Sequence, residues 1–156
     1  MLFSFAAAAF MVRAVMLMLG PLLVALADDF GTSIAVSGQL AAATFVTLGI
    51  TAPLVGPISD TYGRRPVLLI GVLLMALGVL GSGVAWSYSS LMATRLITGM
   101  GSAMILPTIM AALADNLPPE KVGKAVGFIT ASSWVGVAVG VPAIALLGYL
   151  DRKSVV

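Results

Sequence analysis

Charge is missing from long stretches of this chain, and those stretches decide what it can fold into. No ionised side chain falls within residues 30–59, 66–94, 96–114 or 125–150. As a helix rising about 1.5 Å per residue, each run is long enough to cross the ~30 Å hydrocarbon core of a bilayer. Helices are the natural spanning form because they satisfy their backbone groups internally. Only 9% of the 156 residues are charged and 60% are hydrophobic, whereas a soluble domain carries about 25% charged residues. The expected fold is therefore all-α and integral to a membrane. Five transmembrane helices are expected, at about residues 5–27, 34–57, 67–86, 91–114 and 125–150, with links too short to hold a soluble domain.

Composition excludes several functions. The chain has no cysteine and no histidine, so disulfides, thiol catalysis and the commonest metal ligands are ruled out. No carboxylate pair lies inside a span and no base stands ready to activate a hydroxyl, so an embedded enzyme is not expected and no cofactor is implied. The net charge of +2 fits lysines and arginines in loops that face an anionic cytoplasmic leaflet, and it implies no nucleic-acid partner. The start of the chain lacks the basic segment and cleavage site of a removable signal peptide.

The most informative polar segment is Gly56-Pro57-Ile58-Ser59-Asp60-Thr61-Tyr62-Gly63-Arg64-Arg65-Pro66-Val67-Leu68, between the second and third spans. It holds one carboxylate and two guanidinium groups within a turn's reach. A short basic loop marks the cytoplasmic side and can staple helix ends together. Gly56 is expected to let a helix end approach a neighbour closely, Gly63 to permit a turn that a Cβ resists, and Pro66 to open the next helix.

The pattern Gly-x-x-x-Asp-x-x-Gly-Arg-Arg-x-x-Leu, carried by Gly56, Asp60, Gly63, Arg64, Arg65 and Leu68, resembles the loop between helices 2 and 3 of major facilitator superfamily transporters. Thr61 departs from it, since the family usually has a basic residue there. The plainer alternative is a positive-inside loop with a turn glycine, which accounts for the arginines but not for the spacing of Asp60 and Gly56. The resemblance implies most of an amino-terminal six-helix bundle, in which helices 1, 2, 4 and 5 line a central site and the two halves rock about it. It also implies that Asp115, at the end of the fourth span, joins Asp60 and Arg64 in a charge relay, and that Gly56, Asp60, Gly63, Arg64, Arg65 and Asp115 together form a conformational latch on the cytoplasmic helix ends.

Other positions carry weaker signals. Arg13 lies early in the first span, ahead of Pro21; it either snorkels to the cytoplasmic edge or serves the substrate or proton path. A basic residue followed by a proline in helix 1 is similar to the family pattern. Asp28 and Asp29 close this span on a loop without lysine or arginine, read as extracytoplasmic. Thr44, Thr47 and Thr51 share one face of the second span near mid-membrane, where each hydroxyl either bonds its own helix or lines the path. The third span is aliphatic all round and is expected to be a peripheral support, with Trp86 and Tyr88 as interfacial anchors. Arg95 ahead of Gly99 and Gly101 resembles the family's helix 4 motif; again snorkelling and a cavity-facing role both stand.

The fifth span carries Gly123, Gly127, Ser132, Gly136, Gly140 and Gly148, mostly at four-residue steps, a seam for close helix packing. Gly136-x-x-x-Gly140-Val141-Pro142 is similar to the glycine-proline motif of proton-coupled exporters, with Val141 separating the glycine from Pro142. Ser133 and Trp134 lie near mid-membrane, where Trp134 stacks a ligand or packs the core. Asp151-Arg152-Lys153 would fall outside, against the charge rule, which suits a chain that stops just short of a sixth span.

The resemblance implies a secondary active transporter, an exporter of small solutes or drugs by alternating access. It would sit in the cell (inner or plasma) membrane with its amino terminus cytoplasmic. Its partners would be the lipid bilayer, a small-molecule substrate and a carboxyl-terminal half not present in these 156 residues. With no Asp or Glu inside a span, neutral or anionic solutes are favoured over strongly cationic ones. The rival is a non-transporting membrane scaffold or assembly subunit, held by the seam of the fifth span and needing no Asp60–Arg64 latch.

Overall fold

Serine and proline mark the helix starts. The Ser33 hydroxyl accepts from the Val36 amide at 3.2 Å. Ser87 and Ser90 cap each other reciprocally, each hydroxyl accepting from the other's backbone amide at 3.1–3.2 Å. Such contacts satisfy amides that have no partner within the helix. Pro119 opens the last helix, where a missing amide hydrogen costs nothing. In the computed structural model, which describes residues 2–17, 20, 24, 26–28 and 30–154, five long helices result: α1 (Leu2–Leu17), α2 (Ile34–Tyr62), α3 (Arg64–Gly83), α4 (Tyr88–Asn116) and α5 (Pro119–Ser154). Pro21 and Asp29 lie outside the described residues.

The segments Ala35–Tyr62, Arg64–Gly83, Tyr88–Asn116 and Pro119–Gly140 are each long and apolar enough to cross a membrane. As described, α1 has 16 residues, about 24 Å of helix. The chain is a multi-pass membrane protein.

The connector between α2 and α3 is shorter than its polar composition implies. Helix α2 continues through Pro57 and Asp60 to Tyr62, and α3 begins at Arg64, so Gly63 alone breaks the helices. Gly63 has φ +89°, a conformation that a side chain disfavours. Pro66 therefore stands third in α3 rather than first, still within the turn whose amides need no helical acceptor.

Helix α4 is the axis of the bundle and buries residues around most of its circumference. On one side, Gly101 meets Gly71 of α3: a Cβ at Gly101 would stand 2.6 Å from the Gly71 carbonyl oxygen. On another, a Cβ at Gly99 would stand 2.6 Å from the Thr44 carbonyl oxygen of α2. Without side chains at these points the backbones touch, which is how helices associate where no hydrophobic drive separates protein from lipid. Ile105, Ile109 and Leu113 form its third face and pack with Ala6, Ala9, Val12 and Met16 of α1 and Ala125 and Ile129 of α5.

Helix α3 presents Val67, Gly71, Met75 and Gly78 to the interior and leaves Leu69, Ile70, Leu73, Leu77 and Leu80 exposed. That one-sided burial gives it the peripheral place expected of an aliphatic helix facing lipid. Helices α1 and α5 run side by side in the same direction. Phe3 meets Phe128 edge-on with ring centroids 5.9 Å apart, and a Cβ at Gly140 would lie 3.7 Å from Ala14 Cβ. Of the expected glycine seam, Gly140 takes part in this contact and Gly123 and Gly127 do not. Gly123 and Gly127 have nothing within 4 Å of a built Cβ, because α5 turns Ala125 and Ile129 towards α1 instead.

Candidate functional site

Arg64 gathers the charges at one end of the bundle. The Gly63 turn swings α3 back along α2, which places the Arg64 side chain beside the last turns of both α2 and α4. Its Nε donates to Asp115 Oδ2 at 2.9 Å, and its Nη1 pairs with Asp60 Oδ1 and donates to Ser59 Oγ at 2.6 Å. The Ser59 hydroxyl passes the chain on by donating to the Gly56 carbonyl at 3.0 Å. One guanidinium thus joins the ends of α2, α3 and α4 through the several donors of its planar fork.

Two features of the cluster differ from the expectation. Ser59 is a full member, although a buried serine beside the acid carried no signal beyond its position. Among the described residues Gly56 has nothing within 4 Å of a built Cβ, and its contribution to the cluster is its carbonyl. Arg65 points elsewhere. It is exposed, has no ion pair among the described residues, and lines a cleft of about 620 Å³ with Phe5, Arg64, Leu68, Thr108 and Ala112.

The polar residues within the spans divide between packing and unmet hydrogen-bonding capacity. Thr44 Oγ1 donates to the Leu40 carbonyl at 3.0 Å and Thr47 Oγ1 to the Ala43 carbonyl at 2.8 Å, so both hydroxyls are spent on α2 itself. They stand against Gly99 and serve the α2–α4 contact. Ser133 Oγ donates to the Ile129 carbonyl at 2.9 Å in the same way. Gly136 and Pro142 lie within α5, and the helix continues through the proline.

The arginines are different. Arg95 is 4% exposed and its Nε has no hydrogen-bond partner; the other helices enclose it. Arg13 also has a buried, unpartnered Nε. Its guanidinium carbon lies 5.1 Å from the centroid of the Trp134 ring, so the side chain rests on α5.

A contact that sequence reasoning missed closes the opposite end. Tyr88 Oη donates to the Val36 carbonyl at 2.7 Å, tying the start of α4 to the start of α2. An anchor reading fits Trp86, which is 85% exposed; Tyr88 is a bolt between helices. A helix carbonyl that accepts a second hydrogen bond, from a side chain on a neighbouring helix, leaves no mark in sequence.

Residues 5–151 match the family model of the Major Facilitator Superfamily. Among curated proteins, the MFS-type transporter YceJ of Bacillus subtilis is 30% identical over 125 residues, covering 80% of this chain and 32% of YceJ. The quinolone resistance protein NorA of Staphylococcus aureus is 29% identical over 111 residues, 71% of this chain and 29% of NorA. The 3-(3-hydroxy-phenyl)propionate transporter of Escherichia coli is 34% identical over 94 residues, 60% of this chain and 22% of that protein. The chain spans a third or less of the length of these relatives.

Proposed function

Because the chain belongs to the Major Facilitator Superfamily, we propose that it is the amino-terminal bundle of a secondary active transporter that exports small solutes by alternating access. A second block of spans would complete the path, and substrate would pass between the two. The observation that carries this reading is the Arg64 cluster. A guanidinium shared between Asp60 and Asp115 is an end-clasp on three helices, made of partly exposed ion pairs that water and salt weaken. Such a clasp holds one state without locking it, as an element that opens and closes in each cycle requires. A passive scaffold has no use for a weak, solvent-accessible tie, and this favours the transporter over that rival.

The cell membrane is the proposed location, with the amino terminus and the Arg64 cluster facing the cytoplasm. Lys121 and Lys124 fall on the same side as Arg64 and Arg65, in agreement with the bias of basic residues towards inner loops. The relatives named for quinolone resistance and for 3-(3-hydroxy-phenyl)propionate transport support small aromatic solutes as the cargo.

The deciding experiment is solute flux in vesicles carrying the complete gene product, with Asp60→Asn and Arg64→Ala beside it. Slowed exchange in both variants is expected. Undiminished flux in both removes the clasp from the mechanism.

A further inference from the structure

The Arg13–Trp134 pair lies well along α1 and α5, away from the ends at Leu2 and Pro119. Along α5, Trp134 stands ~22 Å from Pro119, and along α1, Arg13 stands ~16 Å from Leu2, at about 1.5 Å per residue. A guanidinium held at that depth is costly, and attraction to an indole face offsets only part of the cost. The rest requires water or an opposite charge. The chain supplies no such charge nearby: no Asp or Glu occurs in residues 1–27, 61–114 or 121–150. The hydroxyls of Ser132 and Ser133 donate to carbonyls of their own helix, and neither accepts from the Arg13 Nε, which has no hydrogen-bond partner. What remains is a cation with an unpartnered, buried Nε against an aromatic ring whose residue is 55% exposed.

We infer that Arg13 and Trp134 form a subsite for a planar aromatic carboxylate. The guanidinium fork receives the carboxylate, supplying in a bound solute the negative charge that the spans lack. The solute's ring stacks on the indole, which reads a flat apolar surface of almost any substitution. A neutral aromatic meets only half of the site. A cationic one meets repulsion from Arg13. The inference rests on the transporter reading and names its class of cargo.

The test uses the complete chain in lipid nanodiscs. Trp86→Phe leaves Trp134 as the single tryptophan of these 156 residues; any tryptophan elsewhere in the complete gene product is replaced by phenylalanine too, and the Trp134 fluorescence is titrated with benzoate, benzyl alcohol and benzylammonium. Saturable quenching by benzoate is expected, with benzyl alcohol at least about tenfold weaker and benzylammonium without effect. Arg13→Gln should abolish the benzoate response, and Arg13→Lys should restore part of it through charge without the planar fork. Equal responses to benzoate and benzyl alcohol, or undiminished quenching in Arg13→Gln, overturn the subsite. If Arg13→Gln loses its helical circular dichroism, the comparison of benzoate with benzyl alcohol on the unaltered Arg13 decides alone. Benzoate binding with no flux by the complete gene product counts against transport and leaves the subsite standing. Flux of aromatic acids without any Trp134 response removes the subsite and leaves transport standing.

Discussion

Arg64 and Asp115 are 51 positions apart in sequence and 2.9 Å apart in space, joining the first residue of α3 to the last turn of α4. The side chains remain 25% and 51% exposed, so the attraction is screened and adds little to folding. Its consequence is positional: it fixes where three helix ends stand relative to one another.

Asp115→Asn keeps an acceptor oxygen and loses the charge. We expect flux in vesicles of the complete gene product to fall several-fold while the melting temperature in detergent stays nearly unchanged, since exposed ion pairs contribute little stability. A large drop in melting temperature with full flux would instead make the contact a structural brace.

Gly101→Ala and Gly140→Ala should part company. A Cβ at Gly101 would stand 2.6 Å from the Gly71 carbonyl oxygen and 3.0 Å from Leu74 carbonyl carbon, both backbone atoms that cannot swing aside. Separating α3 from α4 should cost about 1–3 kcal/mol. At Gly140 the added methyl would meet Ala14 Cβ at 3.7 Å, an ordinary contact, and alanine's better helix propensity should leave stability unchanged or raised by up to about 1 kcal/mol. Thermal unfolding of the two variants in the same detergent makes the comparison.

Tyr88→Phe deletes the donor to the Val36 carbonyl and should lower stability by about 0.5–1.5 kcal/mol. Trp86→Phe alters a side chain that is 85% exposed and should leave the unfolding curve where it was. Denaturant titration of both variants tests the distinction between bolt and anchor.

These 156 residues contain no cysteine, so a cysteine placed among them reports orientation once any cysteine elsewhere in the complete gene product is replaced. Single cysteines at Trp86 and Lys121, both exposed in the structure, should react oppositely with a membrane-impermeant maleimide. Trp86→Cys is expected to label in intact cells, and Lys121→Cys only after permeabilisation. The reverse pattern would turn the Arg64 cluster to the outside.

Much of the architecture was legible from where charge is missing, because a helix that crosses lipid tolerates few ions. The gathering of Asp60, Arg64 and Asp115 was legible from the Gly63-Arg64-Arg65 pattern and the acid four residues before Arg64. Other features were hidden for particular reasons. Pro57 reads as a stop in sequence, yet α2 passes through it to Tyr62, since a proline forfeits a single ladder bond and neighbouring turns hold the helix. Thr61 strengthens that stretch by donating to the Pro57 carbonyl at 2.9 Å. Ser59 and Tyr88 took part unannounced, as their partners lie on other helices or in a side chain whose direction only the fold reveals. The glycines divided likewise. Gly99 and Gly101 meet backbone, whereas Gly56, Gly123 and Gly127 meet nothing within 4 Å, and the residue type alone is the same in every case.

Where Gly71 and Gly101 bring two main chains into contact, no flexible group remains to absorb relative sliding. Helices α3 and α4 therefore travel as one body, with α2 fastened to them at Gly99 and Tyr88. Any internal flexing of this bundle falls on the other boundary, where the aliphatic ridge of Ile105, Ile109 and Leu113 rests on the α1–α5 pair. That ridge is a greased bearing: its side chains can change rotamer without breaking a polar contact. The molecule thus carries its stiffness in the places that have no side chains and its give in the places that do.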